Sequence, residues 1–226
     1  GNVIVTDEVE KILKLDRESL LAIAGSPAVA FEMARVLRNS FEYYRRSQLQ
    51  PLSLSGRTRA VARLLVENIP MALQGIGLVA PLFAGLDRSI NNPDKEPEPR
   101  LFYYDPLGAQ FQAATHAASG SGSGHVRSIL EFHERFGAPR LKSMPQEEAI
   151  ALALKLLQIA STYDAATGGV DPEAGRFATI YIMTRNGVQP IDETMQLKSW
   201  RAGLQQSLKT EVEPENQDPN PGAQND

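Results

Sequence analysis

Hydrophobic positions along this chain fall into blocks whose spacing switches between the period of a strand and that of a helix. The segments 9–15 and 20–25 have the apolar character of short strands. A helical period follows, and its apolar residues are spaced for one face: Val29, Met33, Val36, Leu37, Phe41 and Tyr44. Ser26 is predicted to cap this helix, and Pro27 to occupy its first turn.

The middle of the chain continues with a second helix and an antiparallel segment. The second helix is predicted over Gly56–Leu73, with its last turn bent or loosened by Pro70. A strand over 76–83 and a polar surface loop over 87–100 come next. A hairpin that turns at 105–108 follows this loop.

The last part of the chain predicts three more helices and one more hairpin. A third helix covers Ser123–Phe136, and a fourth begins at Ser143, whose spacing to Gln146 is that of a capping box. Asn186 and Gly187 predict a type I′ turn in a hairpin that precedes the final helix. The order of elements predicts an α+β fold in which antiparallel sheet is covered by helix pairs.

Composition narrows the class of protein. The 226 residues are 42% hydrophobic and 22% charged, which suits one globular domain. A formal charge of −4 argues against a nucleic-acid partner, and no apolar run has the roughly 18 residues of a membrane span. Without cysteine there is no disulfide framework, which fits the cytoplasm. We expect a domain over 1–207 and a disordered acidic tail over 208–226.

Lys11 is the first candidate for chemistry. Strand alternation places it on the same face as Val9, Leu13 and Leu15, so a lysine points toward the apolar side. It is either a charge that guards an edge strand, with its stem along apolar surface, or a buried lysine with a lowered pKa that moves protons. The second role requires a carboxylate partner.

Two glycine-containing turns are further candidates. Gly25 ends a strand just before the helix capped by Ser26, where its amide could stabilise an oxyanion, although a tight turn alone explains a glycine. The stretch SGSGSG at 119–124 could hold phosphate, yet it lacks the lysine of a P-loop and a third glycine at His125. It is otherwise a flexible polar turn.

The three histidines do not predict a metal site. His125 and His133 are eight residues apart on one predicted helix, and His116 lies in the preceding strand, so they do not share a coordination sphere. They are interpreted as surface or packing residues, and no metal or cofactor is expected. The stretch STYDAATGG at 161–169 is different, because its glycines fit a helix end while Asp164 and Thr167 need another reason.

The residues resemble a known family, the β-type subunits of the 20S proteasome, and the bacterial ones most closely. A lysine stands fourteen residues before the glycine of an A-G-[ST] turn in that family, as Lys11 does before Gly25. The stretches GSGS at 120–123 and DAATGG at 164–169 are similar to its G-S-G loop and its D-x-x-[ST]-G-G segment. The resemblance covers the chain to about Ser207.

The resemblance implies a four-layer αββα sandwich, the N-terminal nucleophile hydrolase fold, and a threonine-type endopeptidase that needs no cofactor. Asp164 and Thr167 would hydrogen-bond the N-terminal nucleophile and its amine, with Ser121 in support. Lys11 would lower the pKa of the nucleophile, and the Gly25 amide would hold the oxyanion. The nucleophile itself would precede Gly1, in a stretch of about 20 residues, so the chain as written is expected to be inactive.

The resemblance also implies a specificity pocket and partners. The pocket would be lined by Val9, Leu13, Ile23 and Pro27, which are all apolar and favour cleavage after hydrophobic residues. The partners would be α-type and other β subunits in stacked seven-membered rings, an ATP-dependent unfoldase ring, and unfolded protein substrates. The apolar helix faces and the segment at 77–85 would then partly serve subunit contacts.

Two other functions stay open at this point. The chain could be a non-catalytic ring subunit of the same fold, either a degenerate β or an α-type chain. It could also be a nucleotide or phosphate binder that uses the SGSGSG loop.

Overall fold

The computed structural model of the protein describes residues 10–88 and 96–210. Within these ranges the chain forms seven strands: β1 (Ile12–Lys14), β2 (Ser19–Ala22), β3 (Leu82–Asp87), β4 (Glu98–Tyr104), β5 (Gln110–Gln112), β6 (Tyr181–Thr184) and β7 (Gly187–Pro190). Six α-helices accompany them: α1 (Pro27–Gln48), α2 (Leu54–Glu67), α3 (Ile69–Leu73), α4 (Ser123–Phe136), α5 (Gln146–Tyr163) and α6 (Glu193–Thr210).

The first five strands form one antiparallel sheet in the order β1-β2-β3-β4-β5. One face of this sheet packs against α1 and α2 through a core that includes Leu21, Phe83 and Phe102 from the strands and Leu37 and Val61 from the helices. The helices meet the sheet on this face because their apolar residues recur every three or four positions. The buried Tyr104 hydroxyl also donates to the Thr58 carbonyl oxygen at 3.0 Å, which ties β4 to α2.

The strands β6 and β7 form a second, two-stranded antiparallel sheet. It contacts the other face of the large sheet, where the Lys14 amine donates to the Val188 carbonyl at 3.4 Å. Its outer side packs on α5 and α6 in a core with Leu154, Ile182 and Trp200, while α4 packs on α5. The order is therefore helix pair, sheet, sheet, helix pair, and the predicted α+β sandwich is confirmed.

Several predicted local features are confirmed. The second helix breaks where Pro70 was predicted to loosen it, since α2 ends at Glu67 and α3 carries the proline in its first turn. By contrast, the loop predicted at 87–100 is shorter, because β3 extends to Asp87 and β4 begins at Glu98, and residues 89–95 lie outside the described part. The strand predicted over 76–83 begins only at Leu82. The third helix has the predicted limits, Ser123 and Phe136.

Two predictions about turns and caps are wrong, and a third, for Ser26, is confirmed only in part. Ser26 is the N-cap of α1, but its side chain makes no capping hydrogen bond. Ser143 lies in a short 3₁₀ turn before α5 and donates to the Arg140 carbonyl, so it forms no capping box. The loop of the β6–β7 hairpin is Arg185 and Asn186, and neither has the positive φ of a type I′ turn.

The tail boundary stays a prediction. The helix α6 continues to Thr210, three residues past the predicted limit at 207, and residues 211–226 lie outside the described part of the chain. Among the described helices, none is long and apolar enough to cross a membrane.

The backbone at Gly25 lies very close to the backbone of Leu78. It forms an isolated bridge with Val79, in which the Ser26 N–H donates to the Leu78 carbonyl at 2.7 Å and the Ala80 N–H donates to the Ala24 carbonyl at 3.0 Å. Gly25 has φ +102°, and a Cβ there would lie 2.0 Å from the Leu78 carbonyl oxygen. Both the backbone conformation and the available space therefore require glycine.

Replacing Gly25 with alanine is expected to lower the free energy of unfolding by about 2–4 kcal/mol, because strain at positive φ adds to a clash with backbone. Urea denaturation followed by circular dichroism measures the change. The matched control is Gly124→Ala in α4, where a Cβ meets no atom within 4 Å and helix propensity favours alanine. Equal stability of the two variants would contradict the expected role of Gly25.

Candidate functional site

The loop before α4 is held against the bridge between Gly25 and Val79. The Ser119 hydroxyl donates to the Ala80 carbonyl at 2.6 Å, and the Ala80 N–H is bonded to Ala24. A Cβ built on Gly120 would lie 4.0 Å from the Ala24 side chain. The segments that carry the predicted candidates Gly25 and Ser121 therefore lie next to each other, although about a hundred residues separate them in sequence.

Ser121, Asp164 and Thr167 form one hydrogen-bonded cluster. The Asp164 Oδ2 accepts hydrogen bonds from the Ser121 hydroxyl and from the Thr167 hydroxyl, both at 2.5 Å. These contacts connect the start of α4 with the end of α5. Each hydroxyl oxygen keeps lone pairs, so the cluster can accept hydrogen bonds from an amine or a hydroxyl placed beside it.

The turn after α5 sets the geometry of this cluster. Asp164 is the C-cap residue of α5 with an extended backbone, so its side chain leaves the helix direction. Its Oδ1 accepts the Ala166 N–H at 3.2 Å, and its carbonyl accepts the Thr167 N–H at 3.0 Å. The aspartate thus closes a turn that returns the Thr167 hydroxyl to its own carboxylate.

Gly122 also belongs to the site, although the sequence alone predicts no role for it. A Cβ at this position would lie 2.8 Å from the Thr167 Oγ1 and 3.3 Å from the Asp164 Oδ2. The glycine therefore lets the loop approach the carboxylate closely enough for Ser121 to bond it. The alternation of serine and glycine in the loop is the sequence signal for this approach.

Hydrogen bonds lower the pKa of the Asp164 carboxyl. The hydroxyls of Ser121 and then Thr167 hold the pKa of this carboxyl below its ordinary value, with smaller help from the Ala166 N–H and the charge of His125, while desolvation acts in the opposite direction. The His125 ring also lies against the Tyr163 ring, with 5.2 Å between the centroids. Asp164 is therefore an acceptor, not a proton donor, at neutral pH.

Lys11 lies beside the same end of the large sheet. Its carbonyl accepts the Ile23 N–H at 2.8 Å, which places it across from the residue two before Gly25. Because consecutive amides of a strand point to opposite sides and the Ser26 N–H faces Leu78, the Gly25 N–H points to the Lys11 side. The Lys11 side chain is exposed and forms no ion pair with another described residue.

The four predicted pocket residues have different surroundings. Leu13 and Ile23 are 5% and 9% exposed and belong to the core under α1, whereas Pro27 is exposed at the first turn of that helix. Val9 lies outside the described residues. Their role as a specificity pocket stays a prediction.

Other features of the described residues lie apart from this cluster. No group of three or more histidine, aspartate or glutamate side chains within 10–88 and 96–210 could hold a metal ion. A cavity of about 470 Å³ lies at the turn between β1 and β2, and none of the predicted site residues lines it.

Replacing Thr167 with valine is expected to raise the pKa of Asp164, because the carboxylate loses one of its two hydroxyl donors. A carbon-detected NMR titration of the Asp164 carboxyl measures the shift. The folded-state pKa is depressed, so this bond stabilises the fold above the unfolded pKa of about 3.9, and its contribution is lost as pH falls through the folded pKa.

The control for this measurement is Thr162→Val, since the Thr162 hydroxyl donates to the Gln158 carbonyl on the helix surface and does not touch Asp164. The Asp164 pKa should be unchanged in that variant. A Thr167→Val protein with the wild-type Asp164 titration would show that the short hydrogen bond does not form.

Comparison with known proteins identifies the family of the chain. The sequence profile of the family described as "Proteasome subunit" matches residues 1–171. A protein named proteasome subunit beta from Acidimicrobium ferrooxidans is 34% identical over 193 residues, which are 85% of this chain and 66% of that protein. Another of that name, from Acidothermus cellulolyticus, is 33% identical over 198 residues, 86% of this chain and 64% of that protein.

A third similar protein, from Streptomyces griseus, is also named proteasome subunit beta and is 29% identical over 209 residues, 92% of this chain and 70% of that protein. The chain spans about two thirds of the length of the relatives it matches. The resemblance inferred from the four motifs is confirmed by these matches. The chain belongs to the proteasome subunit family, as a β-type subunit of the bacterial kind.

Proposed function

We propose that this chain is the larger part of a threonine-type endopeptidase, a β subunit of a proteasome core particle. The nucleophile would be a threonine that precedes Gly1 in the longer protein. The enzyme would degrade unfolded proteins by peptide hydrolysis through an acyl-enzyme. As written, the chain is expected to be inactive, because Thr6 is internal and cannot offer a free α-amine.

One observation supports this proposal more than any other. Asp164 accepts both hydroxyls of Ser121 and Thr167 on one oxygen, and the loop that carries Ser121 is bonded to the strand pair next to Gly25. A network of acceptors beside an amide that points to the Lys11 side suits a nucleophile with its own amine.

Each residue of the site would have a separate role in the reaction. The threonine hydroxyl would attack the peptide carbonyl while the α-amine, which titrates near 7.7–8.0 when unperturbed, accepts its proton. The Lys11 ammonium would stabilise the developing alkoxide, and the Gly25 N–H would stabilise the oxyanion. Asp164, Thr167 and Ser121 would orient the nucleophile and its amine, since a correctly placed base is worth orders of magnitude in rate.

The proposed assembly follows from the family. The β subunit would form stacked seven-membered rings with α-type and other β subunits, and would receive protein substrates from an ATP-dependent unfoldase ring in the cytoplasm. Exposed apolar side chains support subunit contacts, since Leu73, Ile76 and Leu78 lie close together in sequence at 76%, 58% and 44% exposure. The predicted contact segment at 77–85 begins within this group.

A non-catalytic ring subunit is the second candidate. The observation that favours it is the exposed Lys11 side chain, which has no carboxylate partner among the described residues. In the catalytic proposal that partner lies before Gly1, together with the nucleophile. A phosphate-binding SGSGSG loop has less support, because the Asp164 carboxylate lies 2.5 Å from the Ser121 hydroxyl and would repel a phosphate.

The first test is the N-terminal sequence of the mature protein from its native source, combined with peptide hydrolysis. A threonine roughly twenty residues before Gly1 is expected, together with hydrolysis of fluorogenic peptides. The variant Lys11→Met should lower kcat at least about 100-fold, and the exposed Lys142→Met should leave kcat unchanged. A mature chain that begins elsewhere and cleaves no peptide would instead support the non-catalytic subunit.

The second test concerns cleavage preference. Peptides with an apolar residue before the scissile bond should have the highest kcat/KM, because Leu13, Ile23 and Pro27 offer no charge to pair with a basic or acidic side chain. A matched series with leucine, arginine and glutamate at that position measures the difference. Fastest cleavage after arginine or glutamate would rule out this apolar pocket.

A further inference from the structure

The cavity between the β1–β2 turn and the end of α1 is rich in arginine. Its volume is about 470 Å³, and five arginines line it: Arg17, Arg38, Arg45, Arg57 and Arg88. Three carboxylates share the wall: Asp16, Glu18 and Glu42. Among the described residues, the side chains that line the cavity therefore carry a formal excess of two positive charges, five minus three.

Arg57 is the buried member of this group. It is 1% exposed, and its Nη2 lies 3.3 Å from the Asp16 Oδ2 and 3.2 Å from the Glu18 Oε2. The Arg57 Nε and Nη1 are buried and have no hydrogen-bond partner among residues 10–88 and 96–210. The Arg57 Cζ lies 5.9 Å from the centroid of the Phe41 ring, so the guanidinium contributes a buried positive charge to the inner wall of the cavity.

The carboxylates on the wall are already engaged. Glu18 bonds Arg88 at 2.6 Å in addition to Arg57, and the Asp16 Oδ1 accepts the Glu18 N–H and the Ser19 hydroxyl. None of these acidic groups turns toward the free Nε and Nη1 of Arg57. The turn therefore fixes the guanidinium without using all of its donors.

Arg38 and Arg17 also line the cavity and keep hydrogen-bond donors available, whereas Arg45 is engaged. Glu42 pairs with Arg45 and Arg46, and their hydrogen bonds lower the pKa of this carboxyl to about 2, so it stays ionised and occupied. Arg38 uses its Nε on the Lys14 carbonyl at 2.7 Å and forms no ion pair with another described residue. Arg17 is exposed and likewise has no ion pair within the described ranges.

The rest of the cavity wall is apolar except for Asn186, with Leu15, Phe41, Pro51 and Leu52. We propose that this cavity binds a small organic anion, in which a carboxylate or phosphate group meets the arginines and an apolar body lies on this wall. Arginine suits both groups because its planar fork donates to two oxygens at once. The site lies at the opposite end of β2 from Gly25, so it is separate from the proposed catalytic cluster.

Isothermal titration of the full chain at low ionic strength, in a buffer without phosphate, tests this site. The probes are N-acetyl-leucine, its uncharged amide N-acetyl-leucinamide, and inorganic phosphate. We expect N-acetyl-leucine or phosphate to bind and the amide not to bind. Binding of the carboxylate alone identifies a carboxylate ligand, and binding of phosphate alone identifies a phosphate-bearing one.

Variants at the rim locate the binding. Arg57 is buried and its replacement threatens the fold, so the test uses Arg38→Gln, which should weaken binding about tenfold. The control is Arg59→Gln, an exposed arginine on α2 that does not line the cavity and should leave the affinity unchanged. The proposal is overturned if neither N-acetyl-leucine nor phosphate binds. It is also overturned if Arg38→Gln and Arg59→Gln weaken binding equally.

Discussion

The close approach of the backbone at Gly25 to the backbone of Leu78 fixes the positions of the chain segments around the candidate site. Leu78 and Ala80 bond to the strand on either side of this glycine, and no side chain fits between them. Because the Ala80 carbonyl also accepts the Ser119 hydroxyl, the same junction holds the loop that begins α4. A bulky residue at Gly25 would therefore disturb the sheet and displace the loop together.

The Asp164 carboxylate makes the second connection, between the start of α4 and the end of α5. This cluster is partly exposed to solvent, and exposed charged contacts contribute little to the free energy of unfolding. Its main effect is therefore to fix the positions of the Ser121 and Thr167 hydroxyls. The two hydroxyls keep the carboxyl ionised, and the carboxyl keeps both hydroxyls in one orientation. Gly122 is required because any larger residue would occupy the space that this pairing needs.

The errors of the sequence interpretation concern local hydrogen bonds, turn geometry and exposure, which hydrophobic periodicity does not specify. The Ser26 amide is taken by Leu78, and Ser143 lies in a 3₁₀ turn that was not predicted. Asn186 occupies a two-residue turn with the wrong φ for type I′. Lys11 was predicted to share the apolar face of Leu13, yet Lys11 is exposed and Leu13 is buried, since exposure depends on what covers the edge of β1 and alternation contains no information about that.

The sequence by itself determined the order of helices and strands, because hydrophobic periodicity reports which face of each element is buried. It also determined the candidate residues, because Lys11, Gly25, Ser121, Asp164 and Thr167 carry motifs that are readable at fixed spacing. Only the tertiary structure decided that Ser121 and Thr167 share one oxygen of Asp164, and that the buried Arg57 lines a cavity together with four other arginines. Those facts depend on contacts between residues far apart in the chain, which no local pattern specifies.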